Sequence, residues 1–84
     1  MNRYLVLTER TLGFQPYALR EHYEFLERLR EAELLEMAGL FGDKSGGAYL
    51  IKAANLAEAT AMAHQDPLHM RGFSRLSVRE WQAT

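Results

Sequence analysis

The sequence predicts one α+β domain in which two helices and four strands follow the order β-α-β-β-α-β. Three observations support this prediction. The chain opens with a run of strand formers, apolar residues recur at helical spacing from residue 16 onward, and a Gly-rich stretch at 42–47 separates two further apolar runs. At 84 residues the chain is near the lower size at which one core holds a domain together, so we expect a single domain over residues 1–84.

The first third of the chain divides into one strand and one helix. Residues 4–7 are apolar strand formers, which predicts a strand over about residues 3–9. Apolar side chains then follow a helical period, and Glu24 with Arg28 forms a favourable i,i+4 pair. These features predict a helix over about residues 16–31.

Residues 34–41 are ambiguous between helix and strand. Propensity alone would extend the first helix through them, but the resulting helix would be unusually long for so small a domain. We therefore expect a strand at 34–41, a turn at 42–47 rich in residues that tolerate positive φ, and a strand at 48–52. Together they form a hairpin over residues 34–52.

The last third of the chain supplies the second helix and the last strand. Asn55, with Glu58 three residues later, is a capping-box start for an Ala-rich helix over about residues 56–64. Apolar and polar residues alternate over 73–81, which predicts a strand with two unlike faces. The complete order is the ferredoxin-like, or split βαβ, arrangement with an antiparallel sheet.

The apolar pattern of the strands also predicts self-association. Two helices cover only one face of a four-stranded sheet, yet the first three strands are apolar at odd and even positions alike. No further segment is left to cover the second face, so we expect a homodimer packed sheet to sheet. The alternative is a monomer with an ordinary exposed apolar patch.

Composition and charge exclude several classes of function. The formal net charge is −1 with both signs interspersed, which argues against partners such as nucleic acid or an anionic membrane. The chain has no cysteine, so disulfides and thiolate metal sites are excluded. The apolar run near the N-terminus is too short for a signal peptide or a membrane span, and we expect a soluble cytoplasmic protein.

His22 and Asp66 are the strongest candidates for chemistry. His22 falls within the apolar arc of the first helix, where an imidazole needs a polar partner. Asp66 precedes Pro67, a typical helix start, and a capping carboxylate can leave one oxygen free to orient a histidine ring. The alternatives are a core histidine bonded to backbone or water, and an aspartate that only caps its turn.

The other histidines do not form a convincing metal site. His64 and His69 are separated by Pro67, which breaks the helix between them, and two histidines five residues apart share a helical face poorly. We expect neither a metal nor another cofactor.

Several short segments together carry a resemblance to a known family. They are Arg20–Leu26 with its histidine, Met37–Gly39, Ser45–Ala48, and Asp66–Pro67 followed by Gly72 and a last strand ending in an aromatic residue. In these features, and over nearly its whole length, the chain resembles the YCII-related (YciI-like) family. The resemblance implies a dimeric α+β barrel of ferredoxin-like subunits, and it implies that His22 and Asp66 form an active-site pair.

The chain departs from the family pattern at two places. Family members often carry an arginine three residues before the histidine, where this chain has Leu19, with Arg20 one step later. Many also have a glycine between the first helix and the second strand, where this chain has Ala32 and Glu33. The first departure puts in doubt any anion-binding role inferred from the family.

Two functions from different classes are compatible with these residues. In the first, a cofactor-free enzyme uses His22 as general base or acid on a small ring-derived molecule, and Asp66 orients and charges the imidazole. The substrate would bind between the first helix, the Asp66 turn and the sheet, in contact with Ser45 or Gly46. The resemblance implies at most the isomerisation or dehalogenation of ring compounds. In the second, the protein is a non-catalytic dimeric module that binds a small ligand or a partner.

Overall fold

The computed structural model describes all 84 residues. The chain forms one antiparallel sheet with helices packed on one of its faces. The strands are β1 (Asn2–Arg10), β2 (Leu35–Leu40), β3 (Gly46–Ala53) and β4 (Ser74–Glu80). The helices are α1 (Leu19–Glu31), which follows a 3₁₀ turn at Pro16–Ala18, α2 (Leu56–Ala63) and the short α3 (Pro67–Met70). The strand order β2-β3-β1-β4 confirms the ferredoxin-like arrangement.

The turn of the β2–β3 hairpin is shorter than the sequence predicts. The expected turn at 42–47 includes Gly46 and Gly47, but β3 already begins at Gly46. The reason is close packing between strands, because a Cβ atom at Gly46 would collide with the carbonyl of Thr8, and one at Gly47 with the carbonyl of Gly39. These glycines therefore allow backbones to approach within the sheet instead of forming a turn.

The hydrophobic core lies between the helices and one face of the sheet. Alternate residues of β1 point into it, and α2 presents Ala59 and Ala63, both fully buried, so that it packs closely on the strands. The core residues are Tyr4, Val6, Phe25, Leu26, Leu29, Leu35, Tyr49, Ile51, Ala53, Ala59 and Ala63.

The opposite face of the sheet is apolar and carries no helix within one chain, and of its residues Leu50 is only 3% exposed. Leu5 of β1 pairs with Leu50 of β3, and Met37 of β2 lies beside Leu50 in the next strand. Met37 is 60% exposed, and Trp81, just past β4, is 46% exposed. These side chains border a shallow groove of about 370 Å³. The sheet therefore has the second apolar face that the sequence predicts.

Helix α1 ends in a Schellman motif built around a glutamate. The N–H of Leu34 donates to the carbonyl of Leu29, and the N–H of Glu33 donates to that of Arg30. Glu33 has a φ of 61°, in the left-handed region that glycine normally occupies at this position. A glutamate in this conformation leaves local strain in the chain, which a glycine would not.

Replacing Glu33 by glycine is expected to stabilise the domain. Glycine removes the cost of the left-handed conformation, about 1–2 kcal/mol. It also raises the entropy of the unfolded chain, which offsets about 0.5–1 kcal/mol of that gain, so the free energy of unfolding should rise by roughly 0.5–1 kcal/mol. Urea denaturation measures the change. Glu31→Gly, in the last helical turn, is the control and should destabilise the domain. Equal destabilisation by both variants would contradict this explanation.

Candidate active site

Two local features bring a histidine and an aspartate together under the sheet. His22 lies on the buried stripe of α1 with Phe25 and Leu26, so its ring is directed at β3 and is only 8% exposed. Asp66 is the N-cap of α3, and its Oδ1 accepts a hydrogen bond from the Leu68 N–H at 3.0 Å. The cap fixes the carboxylate at 1% exposure, on the side facing α1.

The two side chains form a buried pair. Nδ1 of His22 lies 2.9 Å from both Oδ1 and Oδ2 of Asp66. The hydroxyl of Tyr49 donates to Oδ2 at 3.3 Å, so the carboxylate accepts bonds from α1, α3 and β3. Because the carboxylate holds a proton on Nδ1, the neutral ring carries its free lone pair on Nε2.

Tyr49 stays a neutral donor in this arrangement. Its pKa is raised well above the ordinary value, first because the phenol is buried and second because the charge of Asp66 disfavours a phenolate beside it. The ring of Tyr49 also lies 6.2 Å from that of His22, centroid to centroid. Tyr49 therefore supports the pair through both packing and a hydrogen bond.

The other edge of the His22 ring borders a cavity. No protein group is hydrogen-bonded to Nε2, and Nε2 is not among the fully enclosed unpaired atoms. The cavity has a volume of about 210 Å³ and lies between α1, the β2–β3 hairpin and the ends of β1 and β4. Besides His22, it is lined by Thr8, Arg10, Leu19, Tyr23, Leu26, Glu27, Arg30, Ala38, Gly39, Leu40, Gly46, Gly47, Ala48, Tyr49, Leu68 and Ser74.

The two residues expected to contact a substrate differ in position. Gly46 lines the cavity, whereas Ser45 does not. Ser45 lies exposed in the hairpin turn, where its N–H donates to Oδ1 of Asp43 at 2.9 Å. Bonding by the Ser45 side chain and N–H holds the pKa of the Asp43 carboxyl below its usual value. Both residues remain predictions as substrate contacts, and the cavity geometry supports Gly46 alone.

Three cavity residues were missed by sequence reasoning. Tyr49 was identified only as a strand residue, and Arg10 and Ser74 were not singled out. Arg10 and Ser74 face each other across β1 and β4. Only the register of these strands reveals the pairing, and the sequence carries no signal for it. The polarity of Tyr49 in a buried strand could have suggested a need for a partner.

The remaining histidines lie apart from this cavity. His64 and His69 stack with ring centroids 4.5 Å apart and planes inclined by 11°. No group of three or more His, Cys, Asp or Glu side chains could hold a metal ion. We therefore describe no metal centre around these rings.

The fold agrees with comparisons to known proteins. The model of the YCII-related domain matches residues 8–82. The chain belongs to this family. YjpA of Bacillus subtilis (strain 168), an uncharacterized protein, is 46% identical over 82 residues, which cover 98% of this chain and 96% of YjpA.

Two solved structures share the architecture. One is 5-chloro-2-hydroxyhydroquinone dehydrochlorinase (TftG) from Burkholderia phenoliruptrix AC1100 in complex with 2,5-dihydroxybenzoquinone, with a TM-score of 0.82, 17% identity, and coverage of 98% of this chain and 95% of that chain. The other is muconolactone isomerase, with a TM-score of 0.71, 10% identity, and coverage of 98% and 90%. Both are dimeric α+β barrel proteins, and the likeness shows that this chain has the same subunit fold.

The helices of this chain are too short or too polar to cross a membrane.

Replacing Tyr49 by phenylalanine should change stability in a pH-dependent way. Below pH 10 the variant loses a hydrogen bond to a charged acceptor and should unfold about 1.5–3 kcal/mol more easily. Because the folded-state pKa of Tyr49 is raised, the wild type loses this advantage as pH rises above the unfolded value of about 10. Urea denaturation of both proteins between pH 8 and 11 measures the difference. A difference that stays constant over this range would contradict the assigned role.

Proposed function

We propose that the protein is a small enzyme that moves a proton on a ring-derived molecule, with His22 as general base and acid. The proposal rests on the different surroundings of the two ring nitrogens of His22. Nδ1 is held by a buried carboxylate, while Nε2 borders the cavity without a protein partner. This is the arrangement of an oriented general base.

The proposed step uses only groups of this chain. Nε2 of His22 removes a proton from an acidic carbon or hydroxyl of the bound molecule, and the bonding electrons move into its conjugated system. The imidazolium that forms is stabilised by the adjacent charge of Asp66. The same Nε2–H then returns the proton to another atom, which gives isomerisation. Alternatively, a leaving group departs from the anion with its electron pair and the imidazolium releases the proton to water, which gives elimination.

The relatives are compatible with this chemistry. TftG is a dehydrochlorinase of a chlorinated hydroxyhydroquinone, and its structure holds a dihydroxybenzoquinone. The cavity of this chain has a suitable size, because an apolar cavity of about 150 Å³ already accommodates benzene. Its walls combine aliphatic and aromatic side chains with polar and charged ones that can orient a ligand, as small-molecule sites usually do.

Proton exchange tests this proposal without knowledge of the complete reaction. Hydroxylated and chlorinated hydroquinones are incubated with the protein in D₂O, and NMR follows loss of C–H signals while an electrode follows chloride. His22→Asn should reduce the rate by about 10²–10⁴-fold, and Asp66→Asn, which keeps a capping side chain, should also reduce it strongly. Both variants should keep the wild-type circular dichroism spectrum.

His64→Asn provides the matched control, because His64 is exposed and does not line the cavity. It should exchange protons at the wild-type rate. Ring compounds that bind to the wild type but react only at the background rate would show a non-catalytic ligand-binding module. The proposal would then be wrong.

The uncovered sheet face supports a second proposal, a homodimer formed through that face. A contiguous apolar patch of this kind on a small protein usually marks an interaction site. The two structural neighbours are dimeric barrel proteins, which favours a second copy as the occupant. Packing face to face would bury Met37, Trp81 and the groove between them.

Light scattering after size-exclusion chromatography should give the mass of a dimer. Met37→Glu places a charge in the apolar face and should give a monomer at the same concentration. Met70→Glu is the control, because Met70 is 67% exposed on α3 and lies off the sheet. A dimer that survives Met37→Glu unchanged, or a wild type that is monomeric, would contradict the interface.

A further inference from the structure

We propose that the molecule bound beside His22 is an anion, and that Arg10 and Ser74 bind its negative group. The inference rests on the proposed function for the site and adds its substrate class, a small ring compound carrying a carboxylate or an ionised ring hydroxyl.

Arg10 is the one cation of the cavity without an acidic partner. The cavity contains two arginines, and the other, Arg30, has its Nε 3.0 Å from Oε1 of Glu27. Four of the arginines of the chain form ion pairs with glutamates, and Arg10 is not among them. Its guanidinium also makes no side-chain hydrogen bond, so its donors are free for a ligand.

A ring stack holds Arg10 in place. The guanidinium carbon lies 4.2 Å above the centroid of the Phe14 ring. Stacking occupies the face of the guanidinium and leaves its N–H edges available, which is the geometry that suits a planar oxyanion. Because the group is already fixed, binding an anion costs little side-chain entropy.

Ser74 adds a hydroxyl to the same end of the cavity. It is directly opposite Arg10 in the register of β1 and β4, and side chains so paired lie about 5 Å apart. Ser74 is buried and lines the cavity, and its side-chain hydroxyl makes no hydrogen bond within the protein. Nδ1 of His69 is the one fully enclosed polar side-chain atom without a hydrogen bond. The unpaired hydroxyl of Ser74 is therefore not fully enclosed, and it is accessible from the cavity.

The rest of the lining accommodates the body of the ligand. The aliphatic part of the lining includes Leu19, Leu26 and Leu68. An anionic group bound by Arg10 would leave an attached ring among these apolar side chains, in the same cavity that His22 lines. The anchor determines which ligand atom faces the base.

Paired neutral and charged probes test the inference. The probes are 4-hydroxybenzoate and 4-hydroxybenzamide, and binding is followed by ¹H–¹⁵N correlation spectra with the amides of Gly46 and Gly47 as reporters. We expect benzoate to bind at least about tenfold more tightly than benzamide. Arg10→Gln should remove this preference, and Ser74→Ala should weaken benzoate binding severalfold. Both changes should weaken benzamide binding less than benzoate binding, because the carboxamide carries no charge.

Arg28→Gln is the matched control for charge, because Arg28 is exposed, forms no ion pair and does not line the cavity. It should bind both probes as the wild type does. Equal affinity of the wild type for both probes, or benzoate binding that survives Arg10→Gln, would overturn the inference. If Arg10→Gln fails to fold, the probe ratio in the wild type and the Ser74→Ala result still decide it.

The same experiments separate this inference from the proposed function. Benzoate selectivity that depends on Arg10, without proton exchange on any compound, supports the anion site and contradicts the enzyme. Proton exchange on ring compounds by a wild type that binds benzoate and benzamide equally supports the enzyme and contradicts the anion site.

Discussion

The buried carboxylate of Asp66 is the interaction on which the site depends. It accepts the Nδ1–H of His22, the hydroxyl of Tyr49 and the N–H of Leu68, which belong to three different elements. An ionised carboxylate inside a protein is costly unless its oxygens are satisfied, and here every oxygen has a donor. Removing any one donor leaves the buried charge of Asp66 partly unsatisfied. Because the same carboxylate orients His22, the stability of the fold and the orientation of the histidine are linked.

The fold supplies the space beside this pair as well as the pair itself. Gly46 and Gly47 let β3 approach the backbones of β1 and β2 more closely than any side chain would allow. Tyr49, three residues after Gly46 on β3, reaches the carboxylate from the same sheet. Gly46 and Gly47 thus form one side of the cavity, while Tyr49 and Asp66 hold His22 at the other.

Much of this architecture could be predicted from local sequence patterns. Period and capping signals located α1 and the Asn55 cap, whose Oδ1 accepts from the Glu58 N–H at 2.8 Å. The Asp66–Pro67 dipeptide correctly predicted a helix start, and the apolar position of His22 correctly predicted its need for a polar partner. Their chemistry made Asp66 a candidate to orient His22, and the family resemblance then implied that the two act as a pair.

Other features depend on pairing between strands and could not be predicted in this way. The role of Gly46 and Gly47 depends on how close the neighbouring backbones lie. Glycine is typical of turns, so the sequence predicts a turn where the structure has the start of β3. Arg10 and Ser74 come together only because β1 and β4 pair in one register. Such contacts depend on tertiary structure and leave no periodic signal in a single strand.

The tautomer of His22 is the most direct test of the central claim. Long-range ¹H–¹⁵N correlation spectra of the wild-type protein, recorded at a pH where the ring is neutral, show which ring nitrogen carries the proton. The account predicts a proton on Nδ1 and a bare Nε2, because Asp66 accepts from Nδ1. A ring protonated on Nε2, or a mixture of both tautomers, would contradict the claim that Asp66 prepares His22 as a base.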